Sequence, residues 1–283
     1  MIRNLCLGAI ALAALAAVAT PARADDWSKT YALTGRPQLS VEAGDGRVTI
    51  VSADQNKIDA RVTTEGWRIG SQVQIEESQS GNAVEIRIRI PHQFFTFSIG
   101  RRSIHIDLTV PRGSDLDIHT GDGSISAASV SGHIRLDSGD GSISAQGLTG
   151  DVYLHSGDGS IEGEGLDGAL DASSGDGRID VRGRFDSLRV KTGDGSVSAS
   201  ATAGSKISTE WSLRSGDGSI RLRLPDSFAA NLDAHTGDGR ITLDFPVTVS
   251  GSLNRSSIQG KIGAGGGPLV LRTGDGSIHL EKL

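Results

Sequence analysis

Nine aspartates of this chain each sit between two glycines, at positions 45, 122, 140, 158, 176, 194, 217, 238 and 275, and from Asp122 to Asp194 the spacing is 18 without exception. If successive copies stack at the ~4.8 Å separation of neighbouring strands, their carboxylates repel unless a cation, hydrogen bonds or outward splay relieves them. Asp122, Asp140, Asp158, Asp176 and Asp194 therefore form a candidate calcium ladder. Acids gathered on one face, with Asp176 and Asp180 as the first pair to test, would suit glycosidic cleavage instead. The plainer reading makes each aspartate a turn residue, flanked by the glycines that a positive-φ corner requires and accepting hydrogen bonds from corner N–H groups. That reading is preferred. The calcium nonapeptide G-G-x-G-x-D is absent, and nearly equivalent acids on every repeat define no unique active site. No catalytic residue and no cofactor are expected.

A hydroxyl stands immediately before each repeated turn, at Thr120, Ser138, Ser156, Ser174, Thr192, Ser215, Thr236 and Thr273. There it can satisfy corner backbone groups, so a structural hydroxyl ladder is expected. Familiar catalytic signatures are missing: no serine lies in G-x-S-x-G, none of the seven histidines begins H-E-x-x-H, and no G-x-x-x-x-G-K-[ST] occurs. Gly163 to Gly168 fits G-x-G-x-x-G, but no βαβ unit surrounds it and a glycine-rich repeat generates such matches by chance. His119, His155 and His235 share one outward position on non-adjacent copies, too far apart for a single zinc at ~2.1 Å. In an aromatic-poor chain, Phe94, Phe95 and Phe97, followed by Arg101 and Arg102, form the richest cluster. Packing on the first repeat is its expected use, with a ligand-contacting patch as the alternative.

These residues need a scaffold that repeats with them. Within residues 134–149 the order is short strand, Gly-Asp-Gly turn, short strand and a second turn near Gln146 to Gly150. Alternation points Ile125, Ile143, Ile161, Ile179 and Val197 inward after the turn, and Ile118, Leu136, Leu154, Ala172 and Val190 inward before it. Phe185 falls one place out of step, which marks an altered turn. Like residues recurring at like positions favour parallel stacking, so the expected fold is all-β, a parallel β-solenoid (β-helix) of ~18-residue rungs. An antiparallel meander of type I′ hairpins is the competitor. The intervals of 23, 21 and 37 after Asp194 read as loop insertions plus a degenerate rung near Ile258 to Gly267, and Asp45 reads as an outlying copy. Residues 25–115, with longer alternating strands such as Val84 to Ile90, are expected to form an N-terminal β-sheet cap on a 116–283 array. Glu281 and Lys282 would guard its far end.

Arg3, the apolar run Leu5 to Ala19 and the small residues of Ala22-Arg23-Ala24 together read as a signal peptide over residues 1–24. Export to the periplasm, the outer surface or the extracellular space is the expectation. Cys6, the single cysteine, falls in that segment, which leaves the mature chain without thiol chemistry. Without Arg3 and Arg23 there are 26 basic and 34 acidic residues, a net charge of about −8 that argues against nucleic acid as a partner. No stretch of the mature chain approaches the ~20 apolar residues of a transmembrane helix.

The order of these parts resembles a known group. Gly44 to Ile50 reads GDGRVTI, Ile104 to Pro111 reads IHIDLTVP, and TGDGSIS-like units follow, a pattern similar to the bacterial putative adhesin family, also called domain of unknown function 4097. The resemblance covers roughly residues 38–283. It implies surface or ligand binding by analogy and carries over no catalytic residue. The leading expectation is a non-enzymatic, adhesin-like binding or structural protein of the cell envelope, presenting a Ser, Asp and Arg-rich face to a surface glycan or an envelope protein. The alternatives are an envelope-stress sensor or scaffold for a protein partner, and a β-helix carbohydrate-active enzyme.

Overall fold

The computed structural model describes residues 24–90, 102–249 and 255–283, whose 23 strands join in one hydrogen-bonded, mostly parallel sheet. Residues 1–23 of the expected signal peptide, and Phe94, Phe95, Phe97 and Arg101, lie outside the described residues. Two ladders of strands meet at the Gly-Asp-Gly corners. In ladder I, which precedes the corner, Ser131–Ser138 lies between Asp115–Thr120 and Thr149–Ser156, with Leu136 beside Leu154 and Ser138 beside Ser156. In ladder II, which follows it, Ile143–Gln146 lies between Ile125–Ala128 and residues 161–164. Each strand bonds to the copy 18 residues away rather than to its chain neighbour, so the hairpin meander does not hold.

Period-two alternation explains the layering. Ile125, Ile143, Ile161 and Ile179 are fully buried from ladder II, as are Ile118, Leu136, Leu154 and Ala172 from ladder I, and both sets belong to one apolar cluster. Stacking like on like lets each branched side chain pack on its own copy one rung away. The core thickens where the rungs lengthen. There the Phe185 ring meets Trp211 edge-on at 6.2 Å, and Trp211 lies 5.0 Å from Phe228. The offset of Phe185 coincides with two register shifts, between Gly163 and Leu166 and between Gly168 and Ala169.

Chain order and stacking order part company at both ends. Asp45 is not outlying: Gln38–Ala43 pairs with Asp115–Thr120 and Arg47–Ala53 with Ile125–Ala128, which seats its corner directly on that of Asp122. Ala83–Arg89 and Ser103–Pro111 add one more rung beyond it, and among the described residues the strands before Asp115 pair onward into those after it. Ala24–Ala32, Lys57–Glu65 and Gln74–Ser80 run antiparallel and end the two ladders. Their charged edges meet where Lys29 pairs with Glu77 and Gln79 Nε2 donates to the Ala32 carbonyl at 2.8 Å, which blunts edge-to-edge association.

At the other end the last strands, Pro268–Thr273 and Ile278–Lys282, insert between Trp211–Ser215 with Ile220–Leu224 on one side and Ala230–Thr236 with Ile241–Leu243 on the other. Glu281 and Lys282 therefore lie within the stack rather than guarding its end. Charge complementarity favours this order: Arg221 and Arg223 each reach Glu281 at 3.0 Å, and Arg272 pairs with Asp233. The expected degenerate rung is antiparallel, because Ser257–Ile262 runs against both Ala230–Thr236 and Val247–Val249 and closes ladder I.

Candidate functional site

The corner column is a backbone relay. Ser156 Oγ donates to the Gly141 carbonyl of the rung below at 2.9 Å and accepts from its own rung's Gly159 N–H at 3.0 Å. Ser138, Ser174, Ser215 and Thr236 repeat both bonds. The hydroxyls thus satisfy the corner N–H groups that the aspartates were expected to take. The aspartates of the column are exposed residues, and their carboxylates accept no hydrogen bond among the described residues.

The flanking glycines are also needed for a different reason from the one expected. Of the eighteen, Gly46 alone adopts a left-handed φ, at 143°. A Cβ on Gly44 would meet nothing within 4 Å, and at the other sixteen the constraint is close approach: a Cβ on Gly141 would lie 2.1 Å from the Gly123 carbonyl oxygen, and one on Gly159 would lie 2.2 Å from that of Gly141. Among the described residues no three His, Cys, Asp or Glu side chains converge, so the candidate calcium ladder gathers no ligand set. Partial burial, and then the neighbouring Asp122 carboxylate, push Asp45 above the usual carboxylate range.

The outer face of ladder I consumes its own chemistry. Arg135 reaches Asp137 at 3.3 Å, Arg189 reaches Asp171 at 3.6 Å, and His133 reaches Asp151 at 3.1 Å. The Arg135 guanidinium also covers the Tyr153 ring at 4.4 Å, which removes an aromatic platform from use. His119 and His155 stay on separate rungs, bonded to Asp137 and Ser173. Of the aromatic patch, the described residue Arg102 stacks its guanidinium 4.2 Å from the Trp67 ring.

Ladder II differs. Its outer face carries two depressions of about 400 and 460 Å³ that share Ser144 and Glu162 and so form one groove. Arg47, Thr49 and Ser126 line it toward the N-terminal end, and Asp180, Ser198 and Arg223 toward the other. Parallel register places Ser144 beside Glu162, Glu162 beside Asp180, and Asp180 beside Ser198. Among the described residues, none of the side chains of Ser126, Ser144, Glu162, Asp180 and Ser198 forms a hydrogen bond or ion pair. Asp176, the expected partner of Asp180, sits instead at the exposed corner. The neighbour Glu162 was missed because it lies a whole repeat earlier; reading the outward column rung by rung would have found it.

The Toastrack DUF4097 family matches residues 37–281. The chain belongs to this family. Among solved structures this DUF4097 member is similar to a "putative lipid binding protein" of Parabacteroides distasonis, at 15% identity and a TM-score of 0.51, over 90% of this chain and 96% of that one. It is also similar to a "putative adhesin" of Bacteroides fragilis, at 10% identity and a TM-score of 0.44, over 92% and 97%. At such identities the first likeness extends to the fold and to no ligand. No curated protein matches the chain.

Proposed function

We propose that this Toastrack protein is an exported, non-catalytic, adhesin-like binding protein of the cell envelope, a β-solenoid rod whose ladder II groove holds an extended surface glycan. The contrast between the two outer faces carries the reading. On ladder I Arg135, Arg189 and His133 pair with aspartates, whereas on ladder II Ser126, Ser144, Glu162, Asp180 and Ser198 line an open groove and, among the described residues, have no protein partner. Sugar polymers are repeating arrays of donors and acceptors, and this groove offers matching groups at the ~4.8 Å rung spacing. Export is supported by the signal-peptide pattern of residues 1–24.

Glu162 and Asp180 are neighbours in register on one sheet face, a placement that serves binding and that cleavage could also use, so the test follows both. The test is retention of the mature chain, Asp25 to Leu283, on insoluble envelope glycans and exopolysaccharides, with and without calcium, while new reducing ends are followed. Saturable, calcium-indifferent retention without new ends is expected. Released sugar overturns the non-catalytic reading, and absence of retention overturns the glycan reading.

A further inference from the structure

The groove contains an arrangement that selects more narrowly than a glycan in general, and its interpretation rests on the glycan reading. One outward column of ladder II runs Glu164, Arg182, Ser200, Arg223, Glu281 on successive rungs. Arg182 lies beside Ser200, Ser200 beside Arg223, and Arg223 beside Glu281, while the Arg182 guanidinium stands 3.8 Å from Glu164. An acid thus anchors each arginine on the side away from the serine.

Ser200 is only 6% exposed, yet its hydroxyl lines the groove and forms no hydrogen bond among the described residues. That hydroxyl stays open to the groove, where it can donate to an oxygen arriving there. The arginines have donors to spare. Each guanidinium carries five N–H groups; Arg223 uses Nε on Glu281 at 3.0 Å, and Arg182 makes no hydrogen bond among the described residues. Strands ~4.8 Å apart put the two arginines on either side of one hydroxyl, a donor set that fits an oxyanion.

We infer that Arg182, Ser200 and Arg223 form an anion subsite that takes the carboxylate of an acidic sugar within the glycan. The rest of the groove sets the polymer's charge pattern. Glu162, Glu164 and Asp180 accept hydrogen bonds from neutral ring hydroxyls but repel a chain charged at every sugar. The ligand that fits both halves alternates uronate with neutral residues. Phosphate shares the anion chemistry, and the experiment separates it.

Binding of the mature chain is measured by calorimetry with three probes: an oligosaccharide of alternating uronate and N-acetylhexosamine, its carboxyl-reduced counterpart, and inorganic phosphate. The reduced oligosaccharide is expected to bind at least about tenfold more weakly, as loss of charge-assisted hydrogen bonds requires. Arg182→Gln is expected to cause a similar loss and Ser200→Ala a loss of severalfold, both with an unchanged thermal midpoint. Equal binding of the two oligosaccharides overturns the subsite and leaves the glycan reading standing. If neither oligosaccharide binds, the glycan reading falls as well. Phosphate binding as tightly as the acidic oligosaccharide overturns the sugar assignment, and variants that bind like the wild type overturn the residues.

Discussion

At the Gly-Asp-Gly corner, Ser156 is followed up the stack by Ser174, Thr192 and Ser215, and Gly159 by Gly177, Gly195 and Gly218. On the outer face of ladder II the same walk takes Ser126 to Ser144, Glu162, Asp180, Ser198 and Arg221. One column keeps its chemistry and the other changes it at three of five steps. The corner repeats because each carbonyl touches the next rung and each hydroxyl bridges two rungs, which leaves no room for another residue. The outer face meets only solvent and neighbouring side chains, so sequence can vary there and define a place along the rod. In this protein repetition marks what holds the stack together, and departure from repetition marks where the proposed ligand would be recognised.

Several substitutions sharpen that contrast. The largest effect is expected from Gly141→Ala, whose Cβ would sit 2.1 Å from the Gly123 carbonyl oxygen. A backbone clash that no side chain can relieve belongs with the rare losses above about 4 kcal/mol. A loss below about 1 kcal/mol in denaturant unfolding would break the close-approach explanation for the glycines. Ser156→Ala comes next. It strips a buried N–H and a part-buried carbonyl of their partner and is expected to cost about 1–3 kcal/mol. Ser156→Thr should cost much less, since Thr192 and Thr236 make the same donor bond in their own rungs.

The inserted C-terminal rung offers a smaller, pH-dependent effect. The hydrogen bond from Arg223, with that from Arg221, holds Glu281 below the usual carboxylate range, and Arg272 does the same for Asp233. A carboxyl depressed in the folded state adds stability above its unfolded value near ~4, and that stability is lost as pH falls through the lower folded value. Thermal midpoints should therefore decline below about pH 4, and Glu281→Gln should flatten part of that decline. Partial exposure limits its cost at neutral pH to about 1 kcal/mol or less. A variant with an unchanged acid limb would show that these ion pairs do not hold the rung in place.

The repeat made much of the fold legible. Columns such as Ile125, Ile143 and Ile161, and the hydroxyls before the corners, follow from period-two alternation and an 18-residue interval, both local signals. The stacking order at the ends was not legible. Asp45 lies 77 residues from Asp122 in sequence, and the last rung reaches its place only by passing the one made of Ala230–Thr236 and Ile241–Leu243. Pairing at such range leaves no mark on either strand. The glycines were recognised but misexplained, because a positive φ and a neighbour's carbonyl demand the same residue type. Asp180 was singled out with the wrong partner, since Asp176 is close in sequence and Glu162 is close in space. Ser200 carries no signal of its own, since the arginines beside it belong to the two flanking rungs.

The division of labour between corner and groove is tested most directly by glycan retention of two double variants beside the wild type. Asp140→Asn with Asp158→Asn alters the repeated column, and Glu162→Gln with Asp180→Asn alters the groove. The account predicts that the corner variant is retained like the wild type, with and without calcium, whereas the groove variant loses retention at an unchanged thermal midpoint. Loss of retention in the corner variant alone, with the groove variant still bound, would contradict it.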